Sequence, residues 1–220
     1  MTIDIYSLVA ILGAVKPNER ELHMRVSREE MARSHRKIVD SASRLLRERG
    51  VEGAGVAEVM SDAGLTHGGF YRHFETKEAM LLEALKDAFA DFAGPLESAS
   101  AGPVPARALA HFRARYLSPG HVANPGVGCP VAALAGEAGR GSDHLKSVFG
   151  DGVKRIIAAM ALGLKGTAQE RSTAATREFA MMVGAVAIAR ASDRKTGRAV
   201  LAACQPAIVD LPAGSLWAEP

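Results

Sequence analysis

Cysteine is nearly missing from this chain: Cys129 and Cys204 are the only two in 220 residues. Two thiols cannot build a disulfide framework, which argues against a disulfide-dense secreted scaffold and makes a reducing interior the default. Aromatic residues are scarce, at 5% against 48% hydrophobic overall. The apolar content is instead rich in alanine, which suits closely packed helices better than a β-sandwich. Strand-period segments and internal repeats are also lacking. No apolar run approaches the ~20 residues a membrane span needs. Leu8 to Val15 is short, follows Asp4, and has neither a basic flank nor a small-residue cleavage site, so it reads poorly as a signal peptide. Phe179 to Ala189 is bracketed by Arg177 and Arg190. A cytoplasmic protein with no membrane partner is expected.

Catalytic and metal signatures are missing too. The seven histidines include His111, His121 and His144, which lie far apart in sequence, and no Cys-x-x-Cys or His-x-x-x-His pair occurs. No Gly-x-Ser-x-Gly elbow or phosphate-binding loop organises the serines and acids. The chain is therefore expected to be no enzyme, to carry no metal and to need no cofactor. Charge of one sign is absent in bulk, since the net charge is +3. Its distribution says more. Residues 24–49 hold 8 basic and 4 acidic side chains, and residues 102–220 hold 14 and 8. A nucleic-acid reading needs a local constellation rather than bulk charge.

What is present is helical periodicity. From Met24, Ile38, Ala42, Leu45 and Leu46 fall at helical spacing opposite a basic face, and Gly50 stops that helix. Residues 55–64 read as a two-turn helix with Gly55 at the N-cap and Glu58 placed to reach back to it. Gly64 supplies a left-handed turn. Thr66 caps another short helix through about Phe74, with Phe70 and Phe74 on its inner face. Thr76 caps a fourth helix striped by Leu81, Leu82, Leu85, Phe89 and Phe92, which Gly94-Pro95 is expected to end. A linker is expected from Ser98. Five more helices follow, at about 105–118, 130–138, 142–163, 167–192 and 194–208. The fold class is all-α.

One stretch, "GLTHGGFYRHFETKEAML" from Gly64, does not serve helix stability. Each glycine costs about 1 kcal/mol in a helix relative to alanine, yet Gly68 and Gly69 stand side by side. Two short helices joined by a glycine turn make a helix-turn-helix unit, whose second helix enters the major groove. Glycine there lets the backbone approach DNA closely. Thr66, His67 and Arg72 are then placed for bases, and Tyr71, His73 and Lys77 for phosphates.

The segment "GVAEVMSDAGLTHGGFYRHFETKEAML", with the preceding "RERG", closely resembles the TetR family of bacterial transcriptional regulators. The resemblance covers roughly residues 33–93. It implies phosphate contacts for Tyr71, His73 and Lys77 and a core role for Phe74. Ala54-Gly55 departs from it, because the family usually has Thr or Ser capping the second helix. "GCPVAALAGE", residues 128–137, looks like a segment from one branch of the family. The resemblance implies three regions: an N-terminal extension and basic arm over residues 1–32, a helix-turn-helix DNA-binding domain over 33–93, and a ligand-binding and dimerisation domain over 94–220. In the arm, Arg25 and Arg28 are candidates for the minor groove or phosphates, while residues 1–23 are expected to be dispensable.

The function expected is a ligand-responsive, homodimeric repressor released from an inverted-repeat operator by a small-molecule effector. A helical small-molecule enzyme and a non-DNA adaptor are the alternatives, and neither accounts for the "THGGFYRHF" helix. Candidate DNA contacts are Arg25, Arg28, Thr66, His67, Gly68, Tyr71, Arg72, His73 and Lys77. Cys129 precedes Pro130 and so stands at a helix N-cap. A thiol there is expected to have a lowered pKa and to be a candidate sensor.

Overall fold

The structure is a computed structural model that describes the backbone of residues 19–102 and 105–209 and the side chains of 27–102 and 105–205. Nine α-helices occur among the described residues. They are α1 (Glu19–Gly53), α2 (Val56–Asp62), α3 (Lys77–Ser100), α4 (Pro105–Tyr116), α5 (Pro119–Ala123), α6 (Pro130–Ala138), α7 (Asp143–Leu162), α8 (Ala168–Ala191) and α9 (Arg194–Val209). Short 3-10 helices cover His67–Arg72 and Pro125–Val127, and no strand appears among the described residues. Two compact units meet within α1, one ending at Lys37 and the other beginning at Ile38. In the first unit α1 starts at Glu19, so the helix takes in the last residues of the stretch expected to be dispensable.

The second unit carries one continuous core. Ile38, Ala42, Leu45 and Leu46 of α1 are buried with Val59 and Met60 of α2 and with Phe70 and Phe74. Gly50 ends the regular part of α1 at φ 74, the left-handed region that glycine enters without strain. Further along, α3 packs against α7, α7 against α8, and α8 against α9. The long helices start where capping residues supply acceptors for the first free N–H groups. Ser142 accepts from Leu145 N–H at 3.2 Å, Thr76 accepts from Ala79 N–H at 3.0 Å, and Thr167 and Glu170 form a reciprocal capping box.

Two expectations are corrected here. Gly94-Pro95 does not end α3, which continues to Ser100. Proline removes one helical hydrogen bond, but Leu96 and Ser100 are buried beyond it. Glu97 also receives a two-pronged pair from Arg155 of α7, with both bonds at 2.8 Å, and this anchors the last turn. The linker expected from Ser98 is accordingly shorter. Between α4 and α6 lie α5 and a 3-10 turn.

The α3–α7 contact is tight enough to test. A Cβ built on buried Gly152 would lie 2.3 Å from the ring of Phe89, which is itself 1% exposed. Gly152→Ala gains about 1 kcal/mol in helix propensity but forces the ring aside. Overpacking of this kind costs about 1–3 kcal/mol, so a net loss is expected as a lower urea midpoint. An unchanged or raised midpoint would show that the ring gives way freely.

Candidate nucleic-acid interface

The turn between α2 and the next helix is built from backbone bonds. Leu65 N–H donates to Met60 O at 2.9 Å, and Gly64 takes φ 69. Arg44 of α1 joins both Glu48 and Asp62, fastening α2 to α1. The short helix expected here is a 3-10 helix, His67–Arg72. Its bonds run Gly69 N–H to Thr66 O and His73 N–H to Phe70 O, both at 2.9 Å. Two adjacent glycines weaken an α-helix, and the short element settles into the tighter form. Thr66 is its N-cap, though its hydroxyl makes no capping bond.

The inner and outer faces of this element differ sharply. Phe70 and Phe74 stack at 5.8 Å and are 1% and 5% exposed. Tyr71 stands edge-on to Phe70 at 5.2 Å yet is 72% exposed. Thr66, His67, Gly68 and Arg72 are exposed with it, while His73 and Lys77 are half-buried at its rim. Nothing lies within 4 Å of where a Gly68 Cβ would stand, and a Gly69 Cβ would meet only ordinary contacts at 3.7 Å. Nothing packed around these two positions demands glycine, so the advantage of a bare backbone lies on the outside. Arg28 is an exposed residue of α1, and the side chain of Arg25 lies outside the described residues.

The C-terminal half reaches this unit through α6. Arg47 of α1 is buried and donates from Nη1 to Gly128 O at 3.4 Å, at the entrance to α6. At the other end, Val51 N–H donates to Glu137 Oε2 at 2.7 Å. A Cβ on Gly50 would lie 2.2 Å from Glu137 Oε1, so the glycine also makes room for the carboxylate. Ser142 adds a bond to Glu78 of α3 at 2.6 Å. Both ends of α6 are thus tied to α1.

The start of α6 is enclosed. Cys129 is its N-cap, as expected, but the side chain makes no capping bond and is fully buried. Burial pushes the thiol up, against smaller opposing effects of Tyr116 and the Val131 and Ala132 amides. The expectation of a lowered thiol pKa is therefore corrected, because loss of water outweighs the helix N-terminus. His121 bridges the ends of two helices. Its Nδ1 lies 2.6 Å from Tyr116 O, and its Nε2 accepts from Cys129 N–H at 2.9 Å. Arg190 of α8 holds the same segment, donating to His121 O at 2.8 Å and Val122 O at 3.3 Å.

The family-scale comparison bears on the turn first. Residues 38–84 match the model of bacterial regulatory proteins of the tetR family. This is a TetR-family domain. Over 114 residues, the chain is 30% identical to the HTH-type transcriptional repressor DhaR of Mycobacterium sp. (strain GP1), a match spanning 50% of this chain and 54% of that protein. It thus spans about half the length of that relative. A transcriptional regulator from Rhodococcus sp. Rha1 is 25% identical, with a TM-score of 0.64 over 84% of this chain and 99% of that one. The TetR-family regulator from Cytophaga hutchinsonii has a TM-score of 0.67 at 21% identity, over 86% of this chain and 98% of that one. The fold of TetR-family regulators therefore extends well beyond the matched domain.

Within the TetR-family domain, Thr66, His67, Gly68, Tyr71, Arg72, His73 and Lys77 come together on or beside one short element. Sequence reasoning missed Arg47, Glu137, His121 and Arg190. The "GE" that closes "GCPVAALAGE" was the one available signal for Glu137. No local pattern marks the others, since these partners are backbone atoms 5 to 81 residues away. No group of His, Cys, Asp and Glu suited to a metal ion occurs among the described residues, and no described helix is long and apolar enough to cross a membrane.

Proposed function

We propose that the protein is a ligand-responsive transcriptional repressor that binds an inverted-repeat operator as a homodimer. The observation that carries this reading is the split character of the 3-10 helix. Its aromatic pair Phe70 and Phe74 anchors it inside, and Tyr71, Arg72, His67 and Thr66 are free to face a groove. The repressor relative and the regulators of the same fold support it. Dimerisation is assigned to α8 and α9. On α8 the small residues Ala180 and Gly184 lead to Ile188, which is 50% exposed, a spacing that places all three on one face. Response to a ligand is assigned to the α6 clasp, because a ligand that prefers one setting of α6 shifts the population of DNA-competent dimers. Cys129 enters as a sensor only through an opening of the α6 N-terminus, since the closed form buries its thiol.

Selection of DNA from a random pool tests the core of the proposal. Two recognition elements related by a two-fold axis read half-sites about 34 Å apart, so inverted repeats are expected, and direct repeats or no consensus would defeat it. Individual contacts should then separate by type. Lys77→Ala and Tyr71→Phe are expected to weaken all sequences alike, and Lys77→Ala to lower the salt slope by about 1. Arg72→Ala is expected to cost about 1–3 kcal/mol and to relax preference at one position per half-site. Uniform weakening by Arg72→Ala would move that residue to the phosphates.

A further inference from the structure

A groove of about 440 Å³ runs between α3 and α4, away from the recognition element. Its lining divides into two chemistries. Pro95, Leu96 and Ala99 of α3 face Ala108 and Phe112 of α4, with Leu96 and Phe112 buried at the floor. Arg107, His111 and Arg115 stand along the rim. These three are spaced four apart on α4 and therefore share one face of the helix. All three are exposed, and no carboxylate is among the described residues that line the groove.

The neighbouring cations make the contrast clear. Arg113, between them in sequence, is committed to Glu178, and Arg155 on α7 is committed to Glu97. Arg107 and Arg115 have no ion-pair partner among the described residues; Arg115 lies 5.8 Å over the ring of Phe92. Two unpaired guanidiniums and an imidazole above an apolar floor complement an anion that carries an apolar body. Arginine suits such a head group because its planar fork binds carboxylate, sulfonate or phosphate through two parallel bonds.

We infer that this groove binds a small organic anion, its apolar part on Leu96, Ala99, Ala108 and Phe112 and its acidic head on Arg107 and Arg115. The inference rests on the ligand-responsive reading above, because it places a ligand of stated class in the half of the chain assigned to ligands. The groove belongs to α3, the helix that runs on from the recognition turn at Thr76 to Leu96. An occupant wedged between α3 and α4 therefore acts on the helix that carries the DNA-binding unit.

The test uses two fluorescent probes on the full chain without DNA: 8-anilinonaphthalene-1-sulfonate and its uncharged relative N-phenyl-1-naphthylamine. The sulfonate is expected to bind saturably at one site per chain and more tightly than the uncharged probe. Arg107→Gln with Arg115→Gln is expected to weaken the sulfonate at least tenfold and to change the uncharged probe less than twofold. Both substitutions are exposed, and the circular dichroism and urea midpoint of the variant check its fold. Ala99→Trp fills the groove without removing charge and is expected to abolish binding of both probes. Unchanged sulfonate affinity in the double variant, or in Ala99→Trp, would overturn the inference. So would equal affinity of the two probes for the wild type. DNA binding, measured separately on the selected operator, tests the regulatory reading. Failure there with intact sulfonate binding would remove the regulator and leave the anion site.

Discussion

Glu178→Ala is expected to lower stability by about 3–5 kcal/mol, the usual cost of removing one member of a buried ion pair. Glu178 lies on α8 with 1% exposure, and Arg113 reaches it from α4. The contact is two-pronged, Nε to Oε1 at 2.5 Å and Nη2 to Oε2 at 2.9 Å. Burial pushes the Glu178 carboxyl up and the Arg113 guanidinium down, and in both groups loss of water outweighs what the partner returns. The pair therefore adds little net stability, while removing either member alone is costly. Alanine at 178 takes the carboxylate from a guanidinium that is only 12% exposed, where losing charge compensation is costly. The same reasoning predicts that Arg113→Met with Glu178→Leu is within about 1 kcal/mol of the wild type, or better. Urea unfolding of the single and double variants measures both. A single variant costing less than about 1 kcal/mol, the range of surface pairs, would mean that water reaches Arg113 in the folded chain.

The sequence was most readable where a helix announces its own ends. Thr76 and Pro130 after Cys129 mark the starts of α3 and α6, and those helices begin where these residues place them. The recognition element was readable for a different reason. Its two adjacent glycines and exposed aromatic run against helix stability and core packing, so they stand out in the sequence. What failed was everything decided by distant packing. Pro95 reads as a stop, but Arg155, 58 residues away from Glu97, carries the helix past it. The helical form of residues 67–72 turned on the balance between two i→i+3 bonds and a weakened α-helix, which residue type alone does not settle. Cys129 illustrates the same limit for chemistry. Its N-cap position was visible, but the burial that reverses the sign of its pKa shift comes from the surrounding fold and outweighs the lowering effects of Tyr116 and Arg190.

His121 joins these buried groups and gives the protein an acid-sensitive seam. Burial lowers its pKa from 6.5 to about 4 against the opposing bond to Tyr116 O, with smaller lowering contributions from Arg190 and Arg115. The hydrogen bonds independently require the neutral ring. Nδ1 must donate to the carbonyl of Tyr116, so Nε2 must be the bare acceptor for Cys129 N–H. Adding a proton at Nε2 sets two donors against each other and breaks the tie between the end of α4 and the start of α6. The sign follows from proton counting. Between about pH 4 and 6.5 the unfolded chain binds this proton and the folded chain does not, so stability rises with pH through that window and falls on acidification. A displacement of this size corresponds to about 2–3 kcal/mol after allowing for water at a half-buried ring. His121→Gln offers a test, because an amide can donate to Tyr116 O and accept from Cys129 N–H without titrating. Urea unfolding at pH 7 and pH 4 is expected to show the wild type losing about 2–3 kcal/mol more than His121→Gln, with the exposed carboxylates contributing equally to both and cancelling. Equal losses would place the His121 ring in water and remove the seam. Since α6 also holds Val51 through Glu137 at its far end, opening that seam by acid should loosen the grip of the C-terminal half on the DNA-binding unit before the core itself unfolds.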